Sequence, residues 1–99
     1  MYMNEFVAFA PSLRKDKKYQ LTIMTPELKP KTFHFGSKNS STYIDHGDRI
    51  KRANYIKRHQ VNEDWTQINP ASLSRYILWE TPDLKTNLTN YMKKFNIRV

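Results

Sequence analysis

The chain has 99 residues, with 17 Lys or Arg against nine Asp or Glu, which gives a net charge of +8 at neutral pH. A chain of this length forms one domain, residues 1–99, because half of it would bury too little apolar surface to offset the entropy of folding. The absence of cysteine excludes a disulfide framework, a thiol nucleophile and a thiolate zinc site. The positive charge favours a polyanionic partner, above all nucleic acid, bound chiefly through the release of counterions.

The N-terminal segment MYMNEFVAFAPSL is apolar in patches, but it carries Glu5, has no basic leader and is too short to cross a bilayer. We therefore expect a protein that is not secreted and that resides in the cytoplasm, the nucleus or a virion. Two Trp, six Tyr and five Phe are more aromatic residues than a disordered basic tail carries, so the chain should fold.

A β-hairpin is predicted in the first half of the chain. Residues 18–24 alternate between apolar and polar side chains, as a half-buried strand does. The same alternation resumes over residues 31–35, after a stretch with two prolines that excludes a regular ladder. Gly36 closes the second strand, and the Ser- and Asn-rich residues 37–42 predict a polar loop.

A basic helix is predicted for residues 49–60, RIKRANYIKRHQ, which contain no acid, proline or glycine. Asp48 precedes it as an N-cap. A helical wheel places Ile50, Ala53 and Ile56 on one side, which we expect to pack against the core. The opposite, cationic face carries Lys51, Arg52, Tyr55, Arg58 and His59. Cations in the first turn of a helix are electrostatically disfavoured, which suggests that they serve a function.

Two further helices complete an α+β fold in which an N-terminal hairpin or small antiparallel sheet is covered by about three helices. Asn69-Pro70 is a start signal for a helix over residues 70–80, with its large apolar residues inward and Ser74 and Arg75 outward. Thr81-Pro82-Asp83 begins the last helix, in which apolar residues recur at helical spacing from Leu84.

Twelve residues between the second strand and the last helix form a recognisable pattern: Phe35, Gly36, Tyr43, His46, Arg52, Tyr55, Arg58, His59, Trp65, Ser74, Arg75 and Trp79. With this pattern the chain resembles a family of short, basic, uncharacterised proteins encoded by giant DNA viruses of protists. The resemblance covers roughly residues 15–90 and departs from the family in the PELKP turn and in SSTYIDHGD. It implies a viral origin and packaging in the virion, and it carries over no established activity.

These observations predict a small viral nucleic-acid-binding protein, most plausibly a DNA-binding one, that contacts phosphates through its basic helix and acts in genome packaging or regulation. It is expected to have no catalytic residue, cofactor or metal and no membrane partner. The candidate contact residues are Lys17, Lys18, Lys38, Lys51, Arg52, Tyr55, Arg58, His59 and Arg75, with Arg14 and Lys15 as possible additions.

Alternatives remain open from the sequence alone. The basic face could meet an acidic viral or host protein, and the chain could form a homodimer. A small metal-dependent nuclease is a further alternative, in which a histidine acts as base. Independently of that alternative, His34, His46, His59, Asp45 and Asp48 are side chains of the kinds that bind a divalent metal, although their spacing fits no zinc motif. Tyr55 could either stack on a base or lie at the edge of the core, whereas Trp65 and Trp79 are expected to belong to the core.

Overall fold

The computed structural model describes residues 3–99 and has the predicted α+β architecture, an antiparallel sheet followed by helices. The strands are β1 (Glu5–Pro11), β2 (Lys17–Met24) and β3 (Pro30–Ser37). The helices are α1 (Tyr43–His46), α2 (Arg49–His59), α3 (Pro70–Leu73), a π-helical segment (Ser74–Leu78) that continues α3, and α4 (Leu84–Lys94).

The sheet contains one strand more than the predicted hairpin. β1 pairs antiparallel with β2, so the strand order is β1-β2-β3. A bulge between Phe6 and Ala8 interrupts the register. Because of this extra residue, Phe6 and Phe9 both pack against the core although they are three positions apart. The bulge also removes the regular alternation by which a strand is recognised in a sequence.

The core lies between one face of the sheet and the helices. Leu21 and Ile23 of β2 are buried on this face, as their alternation predicts, and Phe35 of β3 joins them. The C-terminal residues return to β1, where the N–H of Phe6 donates to the carbonyl of Arg98 (2.7 Å). The end of the chain thereby covers the first part of an otherwise open strand edge.

The three predicted helices begin where the sequence predicts, whereas the short helix α1 was not predicted. Asp48 accepts hydrogen bonds from the first turn of α2 and Asp83 from that of α4, and Asn69 caps α3, with Pro70 at its first position. Each cap satisfies backbone N–H groups that have no partner within the helix. The predicted apolar face of α4 is also confirmed, since it packs against the core cluster.

The second predicted helix differs from the expectation. It is α-helical only as far as Leu73 and then becomes π-helical. The prediction that Arg75 points outward is wrong, because its side chain is only 12% exposed. Its guanidinium lies over the rings of Trp65 and Tyr76, at 5.4 and 4.9 Å from their centroids. These aromatic rings attract the planar cation, which explains its inward position.

The two glycines provide a matched test of the backbone. Gly36 and Gly47 both have positive φ, 78° and 63°, but a Cβ at Gly36 would lie 2.8 Å from Cδ1 of Leu78, whereas a Cβ at Gly47 meets no atom within 4 Å. We expect Gly36→Ala to lower the free energy of unfolding by about 2 kcal/mol, from backbone strain and overpacking together. Gly47→Ala should cost about 1 kcal/mol, from strain alone. Urea denaturation measures both, and equal losses would contradict the close contact between β3 and Leu78.

Candidate nucleic-acid interface

A cleft of about 670 Å³ opens where the end of the sheet faces α2 and α3. One wall is formed by the ends of β2 and β3 with the loop of residues 37–42, the second by α2, and the third by residues 70–74. Phe35, Leu78 and Trp79 line it and are buried, so they form its floor. The cleft therefore combines an apolar floor with walls that carry most of its polar groups.

The wall formed by α2 is a single stripe of the helix. Lys51, Asn54, Tyr55 and Arg58 line the cleft, and their spacing of i, i+3, i+4 and i+7 places them on one side of the helix. Tyr55 is buried at the base of the stripe, whereas the other three side chains are exposed. The helix thus presents two cations and an amide to the same space.

The sheet contributes a third cation and a group of hydroxyls. Lys17 and Ser37 are register partners on β2 and β3, and both line the cleft together with Ser40 and Ser41 of the following loop. Within residues 3–99, none of the three cleft cations, from β2 and α2, forms an ion pair with a carboxylate. Their charges are available to an external anion.

The N-cap of α2 offsets part of the cost of cations in its first turn. The carboxylate of Asp48 accepts the N–H groups of Lys51 (3.2 Å) and Ile50 (2.9 Å). These hydrogen bonds hold the pKa of the Asp48 carboxyl below its usual range, and the bond from the Lys51 N–H has the largest effect. The carboxylate is therefore ionised at neutral pH and compensates the helix dipole beside Lys51.

Tyr55 lies in the middle of an aromatic stack. Its ring is parallel to that of Trp79 (4.4 Å between centroids, 6° between planes) and stacks on His59 on the other side (4.2 Å, 25°). Burial raises the pKa of the Tyr55 hydroxyl well above its ordinary value, so the group stays neutral. Since both ring faces are covered, Tyr55 lies at the edge of the core and has no free face on which a base could stack.

One carboxylate faces the cations of the cleft. Nδ1 of His59 donates to Oε2 of Glu63 (2.7 Å), and Nε1 of Trp65 donates to its Oε1 (2.9 Å). His59 and Glu63 both line the cleft, so one negative charge stands against the three cations of its walls. The Glu63 carboxylate also fixes the orientation of the His59 ring on Tyr55.

The predicted packing side of α2 is confirmed only at Ile56, which is half-buried and packs against the core cluster. Ile50 is 74% exposed and Ala53 is also exposed. The helix instead turns Arg52, Tyr55 and His59 towards the protein. A tyrosine stacked on a tryptophan buries more apolar area than an isoleucine at the start of the helix would bury. The aromatic side of α2 therefore packs against the protein.

Arg52 makes its polar contacts within the protein. Its Nε donates to the carbonyls of Trp79 (2.8 Å) and Glu80 (3.1 Å), and its Nη2 lies 2.8 Å from the Glu80 carboxylate. Nη1 of Arg75 binds the same carboxylate oxygen at 3.0 Å. Arg52 and Arg75, both predicted to contact phosphate, are therefore engaged in one internal ion-pair cluster that ties α2 to the end of the π-helical segment.

The remaining predicted contacts lie outside the cleft. Lys18 pairs with Asp45 at 3.3 Å and Arg14 with Asp16 at 3.2 Å. Lys38 is exposed beside the cleft loop and is not among the residues that line the cleft. The structure therefore divides the predicted basic surface into a cleft group and a peripheral group.

The three histidines have separate partners. Nδ1 of His34 shares a hydrogen bond with Ser12 (2.7 Å), and Nδ1 of His46 accepts the N–H of Asp48 (2.8 Å). His59 is bound by Glu63, as described above. Over residues 3–99, no three His, Cys, Asp or Glu residues lie close enough together to hold a metal ion. None of the helices in that range is long and apolar enough to span a bilayer.

Residues 7–59 match the model of a family of unknown function, DUF5754. This segment runs from β1 to the end of α2, so it contains the cleft cations and the serine loop, whereas the third wall lies beyond it. No curated protein and no solved structure matches the chain.

Proposed function

We propose a nucleic-acid-binding function for this chain, which belongs to the DUF5754 family. In this proposal Lys17, Lys51 and Arg58 contact phosphates, and the serines of the loop bind their oxygens. One observation carries the proposal: three cations that form no ion pair with a carboxylate of residues 3–99 converge from two walls on one cleft that is also lined with hydroxyls.

Nucleic acid suits this cleft better than an isolated anion does. A net charge of +8 attracts a dense line of phosphates, and neutralising those phosphates releases their counterions. Arg58 offers a planar fork to phosphate oxygens, and lysines act as point charges beside it. Hydroxyl groups commonly complete such backbone contacts. The proposal includes three further points. The nucleic acid is DNA, the role is genome packaging or regulation, and the setting is the viral one that the family resemblance implies.

Lys51→Ala/Arg58→Ala tests the α2 stripe. Fluorescence anisotropy with labelled DNA across a salt series should show binding weakened by about tenfold at moderate salt, because two phosphate contacts are lost. The slope of log affinity against log salt should become shallower by about 1.5, for the same reason.

Lys57→Ala/Lys93→Ala is the matched control, since it removes the same charge from exposed positions that do not line the cleft. It should change the salt slope by less than the cleft variant does. Equal effects of the two double variants would contradict a localised site. Absence of binding even at low salt would reject the nucleic acid and favour an acidic protein partner.

A further inference from the structure

We infer that the cleft takes a single nucleotide of an unpaired strand, so that the protein prefers single-stranded DNA to duplex. The inference rests on the proposed function and specifies its ligand. It follows from the shape of the cleft, from the separation of polar and apolar groups inside it, and from side chains whose hydrogen-bonding groups are unused.

The shape argues against binding in a duplex groove. A helix that reads the major groove must project from the surface, because the groove is only about 12 Å wide. The cationic stripe of α2 instead faces a half-open cleft, with the loop of residues 37–42 and the single turn of α3 across from it. A volume of about 670 Å³ is that of a small-molecule site. The stripe can therefore reach a phosphate that enters the cleft more readily than a duplex that lies across it.

The distribution of chemistry matches the two ends of a nucleotide. Hydroxyls and one cation stand on the sheet wall and two cations along α2, whereas Pro70 and Ala71 form a small apolar patch of the third wall, beside Ser74 and next to the buried floor of Leu78 and Trp79. When the phosphate of a nucleotide binds at the rim of the cleft, the base of the same nucleotide lies against this apolar side. Because Tyr55 covers one face of the Trp79 ring and His46 packs against that ring edge-to-face, the base would contact ring edges and aliphatic groups without inserting into the stack.

Unused polar groups complete the match. The side chains of Ser37, Ser40, Ser41, Asn54 and Ser74 line the cleft, and none makes a side-chain hydrogen bond within the described chain. Asn54 offers both a donor and an acceptor, which is what the edge of a base or a sugar requires. In a duplex these base edges are paired and the base is stacked, so it would have to flip out at a cost of a few kcal/mol.

Anisotropy titrations should compare a labelled 12-nucleotide single strand with a blunt hairpin duplex of the same sequence at equal salt. The single strand should bind about tenfold more tightly. Ala71→Trp fills the cleft without changing charge and should weaken single-strand binding about tenfold while leaving duplex binding within about twofold. Ala53→Trp, on the exposed outer side of α2, is the matched control and should change neither.

A competition experiment makes the test independent of whether Ala71→Trp folds. A deoxynucleoside monophosphate should displace the labelled strand from the unmodified protein at a concentration about tenfold below that of inorganic phosphate, because only the nucleotide uses the apolar wall. Equal affinity for strand and duplex, or equal displacement by the two competitors, would overturn the inference and leave the proposed function standing. Binding of neither DNA at low salt would reject the proposed function itself.

Discussion

Asn87→Asp is expected to lower the free energy of unfolding by about 3 kcal/mol or more. The Asn87 side chain is fully buried, and its Nδ2 donates to the carbonyls of Ile77 and Thr81, both at 2.8 Å. Its Oδ1 accepts from the N–H (3.2 Å) and the hydroxyl (2.6 Å) of Thr81. Aspartate has nearly the same shape but no amide donor, so an ionised carboxylate would face two carbonyl oxygens without water.

Asn90→Asp is the matched control, since it makes the same change at an exposed position of the same helix. Urea denaturation followed by circular dichroism should show a loss of less than about 0.5 kcal/mol for this control. If the two variants were equally stable, Asn87 would not hold α4 against the end of the π-helical segment. The effect has a functional meaning, because that segment supports the floor of the cleft.

Glu80→Ala should destabilise the protein by about 3 kcal/mol. Glu80 is the common partner of Arg52 and Arg75, and Arg75 is 12% exposed with its Nε buried and without a partner among the described residues. Without the carboxylate, a largely buried guanidinium keeps its charge but loses its counterion, and this is costlier than the loss of a surface pair.

Glu27→Ala removes the same charge from an exposed turn and is the matched control for Glu80→Ala. Thermal unfolding should separate the two variants clearly. Arg52→Ala should likewise lower stability while leaving the salt slope of DNA binding close to that of the unmodified protein. A slope that became shallower, as expected for the variant of Lys51 and Arg58, would show that Arg52 contacts phosphate after all.

The local parts of the fold could be predicted from the sequence. A cap such as Asp48 and a proline such as Pro70 act within one helical turn, so their effect is visible in a few neighbouring residues. The alternation in β2 identifies its buried side for the same reason. The strand β1 escaped prediction because the bulge after Phe6 breaks the alternation, and only the pairing partner makes the segment recognisable as a strand.

The candidate site could be predicted in composition but not in arrangement. Lys51 and Arg58 share a helix face, and this follows from spacing alone. Arg52 was predicted on the same face, but it binds Glu80, which lies 28 positions further along the chain. A helical wheel cannot show a contact of this kind. The composition of residues 37–42 predicted only a polar loop, and it is the fold that places Ser37 beside Lys17 and across from α2.

The position of Trp79 at the floor of the cleft depends on how many residues the preceding π-helical segment contains, as well as on which residues they are. In an α-helix, residues five apart point about 140° away from each other, whereas a π-turn brings such residues to the same side. Ser74 and Trp79 are five apart and both line the cleft. If the same number of residues were wound as an α-helix, the tryptophan would rotate out of alignment with the serine, whereas an α-helix one residue shorter would keep the two, then four apart, within about 40° of each other. The π-helical turn therefore lets this segment carry one residue more than an α-helix would while both side chains still line the cleft.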